Sequence, residues 1–123
     1  MNNTAIFEST RSFVIFSYAA SHGLLLLRSR KTKEAPKRID ILFQDVRAME
    51  LRSWFEGVTI EEVDPTFLRD FHSNPAQMIE PGNKVYSIKG REWLGFIVGG
   101  IVSVKEDDGE FFVPSGLIPE ANK

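Results

Sequence analysis

A chain of 123 residues with 42% hydrophobic residues, 26% charged residues and ten Phe is one domain long and able to bury its own core, which excludes the disordered and fibrous classes. The formal net charge of −2 gives no global attraction to nucleic acid or to a membrane surface. Zero cysteines exclude disulfides, thiolate metal sites and a Cys nucleophile, and fit a reducing, cytoplasmic setting.

Residues 1–11 read as a flexible N-terminal segment; with Glu8 and a single basic side chain they make a poor secretory signal. The first expected strand is Ser12–Tyr18, rich in the strand formers Phe13, Val14, Ile15 and Phe16. Ala19–Gly23 then supplies a turn in which Gly23 can take a positive φ, and Leu24–Arg30 returns as the second strand of a hairpin. The apolar stretch Ser12–Leu27 is shorter than the about 20 residues that cross a bilayer as a helix, and Ser17, Ser21, His22 and Gly23 interrupt it. A soluble protein without a membrane span is expected.

Arg28, Arg30, Lys31, Lys33, Lys37 and Arg38, with only Glu34 among them, make a stretch of net charge +5, so the remainder of the chain carries −7. The residues KTKEAPK within it read as an exposed loop. Arg38–Phe43 is the next strand, with Ile39, Ile41 and Phe43 alternating against Asp40 and Leu42. Residues 44–56 fit a helix or a strand, and extended structure is the preferred reading. Gly57–Glu62 is a further strand, closed by Asp64-Pro65. A short helix is expected over Pro65–His72, with Asp64 as N-cap and Phe67, Leu68 and Phe71 on one face.

After a loop to Asn83, Lys84–Lys89 reads as a strand with Tyr86 and Ile88 on one face and Val85, Ser87 and Lys89 on the other. Trp93–Lys105 is the longest apolar run of this half. Gly99-Gly100 within it suggest a bend or a close approach of another backbone. Asp107-Asp108-Gly109 is a turn signal before Glu110–Val113, which together predict a last hairpin. The expected fold is all-β or β-dominated α+β, a single-domain barrel or two-layer sandwich over residues 12–113, with seven or eight short strands, one short helix and an irregular tail at 114–123.

The six basic side chains of the loop are candidates for an anionic ligand, a nucleic acid or a lipid headgroup, although no aromatic residue lies among them to stack bases. A solvated loop is the plainer alternative. The acidic turn Glu106–Glu110 lacks the ligand spacing of a calcium loop. His22 and His72 each stand without a second His or a carboxylate at ligand spacing, and no serine lies in a G-x-S-x-G elbow. No glycine cluster has the spacing of a phosphate loop. The sequence therefore names no catalytic residue, no metal ligand and no cofactor, and carboxylates brought together from distant segments, such as Glu61, Asp64 and Asp108, stay open. Trp54, Phe55 and Trp93 are core residues by composition and interface residues if exposed beside Arg52 or Arg91.

The pattern S-H-G-L-L-L-L-R-S, R-I-D-I-L-F, Val46 and Met49–Leu51, spanning residues 21–51, resembles one in small uncharacterised bacterial proteins. The resemblance implies a self-contained bacterial β-rich domain and brings no activity or site residue. The expected function is a non-enzymatic module that binds another protein. Its alternatives are a β-barrel that binds or transforms a small ligand in an interior pocket, and an anion-binding domain acting through residues 28–38. Pairing through edge strands such as Arg38–Phe43 would make a homodimer.

Overall fold

The computed structural model of the chain describes residues 4–118. It contains eight strands, β1 (Thr4–Ala19), β2 (Leu24–Ser29), β3 (Arg38–Phe43), β4 (Ala48–Glu50), β5 (Trp54–Val63), β6 (Lys84–Gly90), β7 (Trp93–Gly99) and β8 (Val102–Asp107). They form one antiparallel sheet in the order β4-β7-β6-β5-β1-β2-β3-β8. The domain is β-dominated, as expected. It is not closed into a barrel and is sandwich-like.

Two strand pairs carry the chain from one layer to the other. The sixteen-residue β1 pairs with β5 through its first part and with β2 through its last, and its register shifts between Ala5 and Phe7, between Ser9 and Ser12 and again between Ile15 and Ser17. Such bulges bend a strand. On the other side, β3 pairs with β8 and β4 with β7, so residues 38–50 and 93–107 run antiparallel and turn a corner together. At that corner the Gln44 amide donates to the Ile101 carbonyl at 2.9 Å and the Gly100 amide to the Gln44 carbonyl at 2.8 Å. The expected close backbone approach at Gly99-Gly100 is present: a Cβ would stand 3.2 Å (Gly99) or 3.3 Å (Gly100) from the Gln44 oxygen.

One layer is thus the second part of β1 with β2, β3 and β8; the other is the first part of β1 with β5, β6, β7 and β4. Their inner faces meet in a core that includes Phe13, Leu25, Leu27, Ile41, Phe43, Phe55, Ile60, Tyr86, Ile88 and Ile97. The Phe13 and Phe55 rings stack across β1 and β5 at 6.2 Å, and Phe43 meets Tyr86 edge to face at 5.4 Å. Tyr86 Oη donates to the Gly100 carbonyl at 2.5 Å, tying β6 to the corner. Burial, and then the Glu62 charge, raise the Tyr86 pKa.

Several boundaries differ from the sequence reading. Residues 4–11 are the first part of β1, not a separate segment, because β5 offers them a ladder; residues 1–3 lie outside the described residues. Residues 44–56 are extended where they are regular, as β4 and the start of β5. The expected helix is a 3-10 turn over Pro65–Asp70, with Asp64 accepting from the Thr66 amide at 2.9 Å and holding Phe67, Leu68 and Phe71 against the sheet. A second 3-10 turn, Ala76–Met78, was not expected. The Trp93–Lys105 run is two strands in different places in the sheet. Arg38–Phe43 is no edge, since β2 and β8 flank it.

The last hairpin is absent. Asp107 ends β8, and Glu110–Val113 forms no strand, because its carbonyls point to an arginine instead of a ladder. Residues 108–118 instead fold back over the outer face of the β1-β2-β3-β8 layer. Residues 114–118 are irregular as expected, and 119–123 lie outside the described residues. The outer face of the second layer has its own cover, where Leu68, Phe67, Phe71 and Ile79 pack on Val85, Phe96 and Val98. Between the two covers, the outer face of β1 and β5 stays open.

Candidate functional site

Alternation along β2 and β3 sends Leu25, Leu27, Ile39 and Ile41 to the core and Arg28, Arg38 and Asp40 to the outer face. An outward charge is normally solvated. Here Arg28, Arg38 and Asp40 are 1%, 2% and 1% exposed, because residues 108–118 cover them. Arg28 reaches Asp40 through Nε–Oδ1 at 2.7 Å and Nη2–Oδ2 at 3.1 Å, and its Nη1 donates to the Phe111 carbonyl. Arg38 forms the same fork on Asp107, at 2.9 Å through each nitrogen, and its Nη1 donates to the carbonyls of Glu110 at 2.8 Å and Val113 at 2.7 Å. Arg38 Nη2 also lies 3.7 Å from Asp40 Oδ2.

The two arginines therefore act as clamps that turn the ends of neighbouring strands toward the main chain of the terminal segment. Bidentate charge-assisted hydrogen bonds of this kind are the strong ones. The Asp107 carboxyl is held below its ordinary value, first by the Arg38 hydrogen bond and against the opposing effect of burial, with the Gly109 amide adding to the lowering. Aromatic rings close the assembly. Phe16 follows the core-facing Ile15 and so shares the outer face with Val14, where its ring lies 4.1 Å from the Arg28 guanidinium and 5.2 Å from the Phe111 ring.

Of the six predicted anion-binding cations, four face carboxylates of the chain itself. Arg28 and Arg38 are buried as described; Lys31 Nζ is 2.8 Å from Glu110, and Lys37 Nζ is 3.0 Å from Asp108. The acidic turn and the basic loop, which the sequence presents about 70 to 80 residues apart, are thus one another's partners. Arg30 lies over the Phe111 ring at 4.9 Å, and Lys33 is exposed. Asp40 and the Phe111 segment were missed as members of this cluster. The alternation made Asp40 legible as outward-facing, but nothing local signals that a distant segment covers it.

The three aromatic candidates separate. Phe55 is 2% exposed and belongs to the core. Trp93 is half-buried, packs 5.0 Å from the Phe55 ring, and leaves its Nε1 without a hydrogen-bond partner. Trp54 is 56% exposed. It begins a cross-strand row on the outer face, Trp54, Val14, Arg28, Asp40 and Lys105, each directly opposite the next on β5, β1, β2, β3 and β8. Crevices flank the ring on both sides. One, of about 350 Å³, lies between Trp54 and Phe111 with Val14 at its base; the other, of about 340 Å³, is bordered by Arg52, Arg91 and Trp93. Beyond Glu56 the open face continues as a groove of about 610 Å³ that includes Glu8, Thr59, Glu61 and Lys89.

Among the described residues no three His, Asp or Glu side chains come together as a metal site, and no helix is long and apolar enough to cross a membrane. Asp64 caps its 3-10 turn and Asp108 pairs with Lys37, so neither joins Glu61 in a cluster. Set against protein-family models, curated proteins and solved structures, the chain matches none.

Proposed function

We propose that the protein is a non-enzymatic interaction module of the bacterial cytoplasm and that its partner is another protein, engaged by the open strip of sheet around Trp54. The observation that carries this reading is the exposure of Trp54 on a strip between two covers, over an interior that Phe13, Phe43, Phe55 and Ile88 fill. A large aromatic ring held on a rigid strand and flanked by arginines has the composition of an interface hot spot. Arg52 and Arg91 stand on one side of the ring and Arg30 on the other.

The interior-ligand alternative has less support, since the crevices described here open at the surface while the core residues lie at 8% exposure or less. Anion binding by residues 28–38 is likewise less supported, because Asp40, Asp107, Asp108 and Glu110 already face four of the six cations. The test is affinity capture with the whole chain and with Trp54→Ala, compared by mass spectrometry. The expected result is a protein retained by the wild type and lost by the variant. A partner retained equally by Trp54→Ala, or no protein retained by the wild type, overturns the reading.

A further inference from the structure

The crevice between Trp54 and Phe111 has a shape and a charge that specify its occupant further. Its base is the Val14 side chain, and its two walls are aromatic. At about 350 Å³ it is at the lower end of ligand pockets, which run from about 300 to 1,000 Å³, so it suits one side chain and its neighbours in a peptide better than a cofactor. Two arginines border it. Arg28 is spent, its donors directed to Asp40 and to the Phe111 carbonyl and its face covered by Phe16.

Arg30 is different. Lys31, Lys37 and Arg38 each have a carboxylate within 4.0 Å, whereas Arg30 has none among the described residues. Its guanidinium is nonetheless placed: it stacks on Phe111, and the Arg30 carbonyl accepts from Arg11 Nη2 at 2.7 Å, which fixes the backbone beneath it. On the other side of Trp54, Arg52 lies 5.7 Å from the Trp93 ring and also lacks a carboxylate among the described residues, while Arg91 faces Glu56 at 3.3 Å. Glu92 is the other carboxylate on that side. The Trp54 face is therefore net positive, with two arginines whose forks are open to a carboxylate.

We infer that the partner presents an acidic segment, setting an apolar side chain between Trp54 and Phe111 and an adjacent carboxylate on Arg30. This rests on the interface reading above and names the chemistry of the partner. Phe111 belongs to the segment clamped by Arg28 and Arg38, so the buried network also sets one wall of the crevice.

The probes are N-acetyl-Asp-Phe-Asp-amide and N-acetyl-Lys-Phe-Lys-amide, titrated into the full chain and followed by two-dimensional NMR, with the Trp54 indole N–H assigned from Trp54→Phe. The acidic peptide is expected to shift the Trp54 indole and the Val14 and Phe111 amides, and the basic peptide to leave them in place. Arg30→Gln is expected to weaken the acidic peptide by about fivefold, as loss of one exposed ion pair implies, and Arg30→Glu to weaken it further. Equal shifts from both peptides, no shift from either, or an affinity unchanged in Arg30→Gln overturns the inference. If capture of the protein partner is lost in Trp54→Ala but not in Arg30→Gln, the interface stands and its acidic specificity falls. If capture survives Trp54→Ala, the interface itself falls.

Discussion

Arg28 and Asp40 stand directly opposite each other on β2 and β3 and meet in two hydrogen bonds, at 2.7 and 3.1 Å, with neither residue more than 1% exposed. A buried pair is weak evidence of net stabilisation, because desolvating both charges offsets much of their attraction. Removing one partner is another matter, since the other is left buried and uncompensated. Asp40→Ala is expected to lower the unfolding free energy by about 3–5 kcal/mol in urea titrations. The double variant Arg28→Met/Asp40→Leu should lose less than Asp40→Ala alone. A double variant as unstable as the sum of its singles would show that the two charges act independently.

The pH dependence of stability follows from the second clamp. The folded Asp107 carboxyl titrates below its ordinary value of 3.8, mainly through the Arg38 hydrogen bond. A group whose folded pKa is depressed contributes stability that is fully present above the unfolded pKa and is lost as pH falls through the folded one. Asp107→Asn should therefore be less stable than the wild type at pH 7, with the gap narrowing below about pH 4. Urea titrations from neutral to acid pH check this. A gap that stays constant would show that Asp107 acts through shape and not through its charge.

This clamp also shows what the sequence could and could not disclose. Period-two alternation revealed β3 and β6, because each has a buried face whose register the apolar side chains fix, while β2 was legible as an apolar run returning from the turn at Gly23. The start of β1 was harder, since Ala5 to Arg11 alternate poorly and, apart from Phe7 on the core, are held by pairing with β5. Asp107-Asp108-Gly109 has the chemistry of a hairpin turn, and locally that reading is sound. Two arginines about 70 and 80 residues away decide otherwise, by taking the carbonyls that a hairpin would have used. Likewise the same composition, an aromatic pair at residues 54 and 55, gives one core residue and one exposed one purely by strand alternation.

That alternation separates the roles of Trp54 and Phe55 experimentally. Phe55→Ala removes a ring stacked on Phe13 and packed against Trp93, and is expected to cost about 3–5 kcal/mol of stability. Trp54→Ala, on the open face, should cost about 1 kcal/mol or less. Unfolding curves of the two variants check the difference. A large loss in Trp54→Ala would place that ring in the framework and remove the rationale for an interface there.

The final prediction concerns the basic loop. Lys31 and Lys37 face Glu110 and Asp108 at the surface, in pairs that salt screens and that hold little energy individually. Their effect on a polyanion is larger than on stability, because each neutralised lysine is one fewer phosphate contact. Asp108→Asn/Glu110→Gln should bind a short DNA duplex more tightly than the wild type at low salt. Uncovering two lysines should steepen the dependence of log K on log salt by up to about 1.8, at about 0.9 per phosphate contact. Glu8→Gln/Glu61→Gln removes the same charge from the other layer and should leave that slope unchanged, which separates local unmasking from net charge. Equal gains in both double variants would assign the effect to net charge, and no gain in either would leave residues 28–38 as the structural half of the clamp that holds the terminal segment.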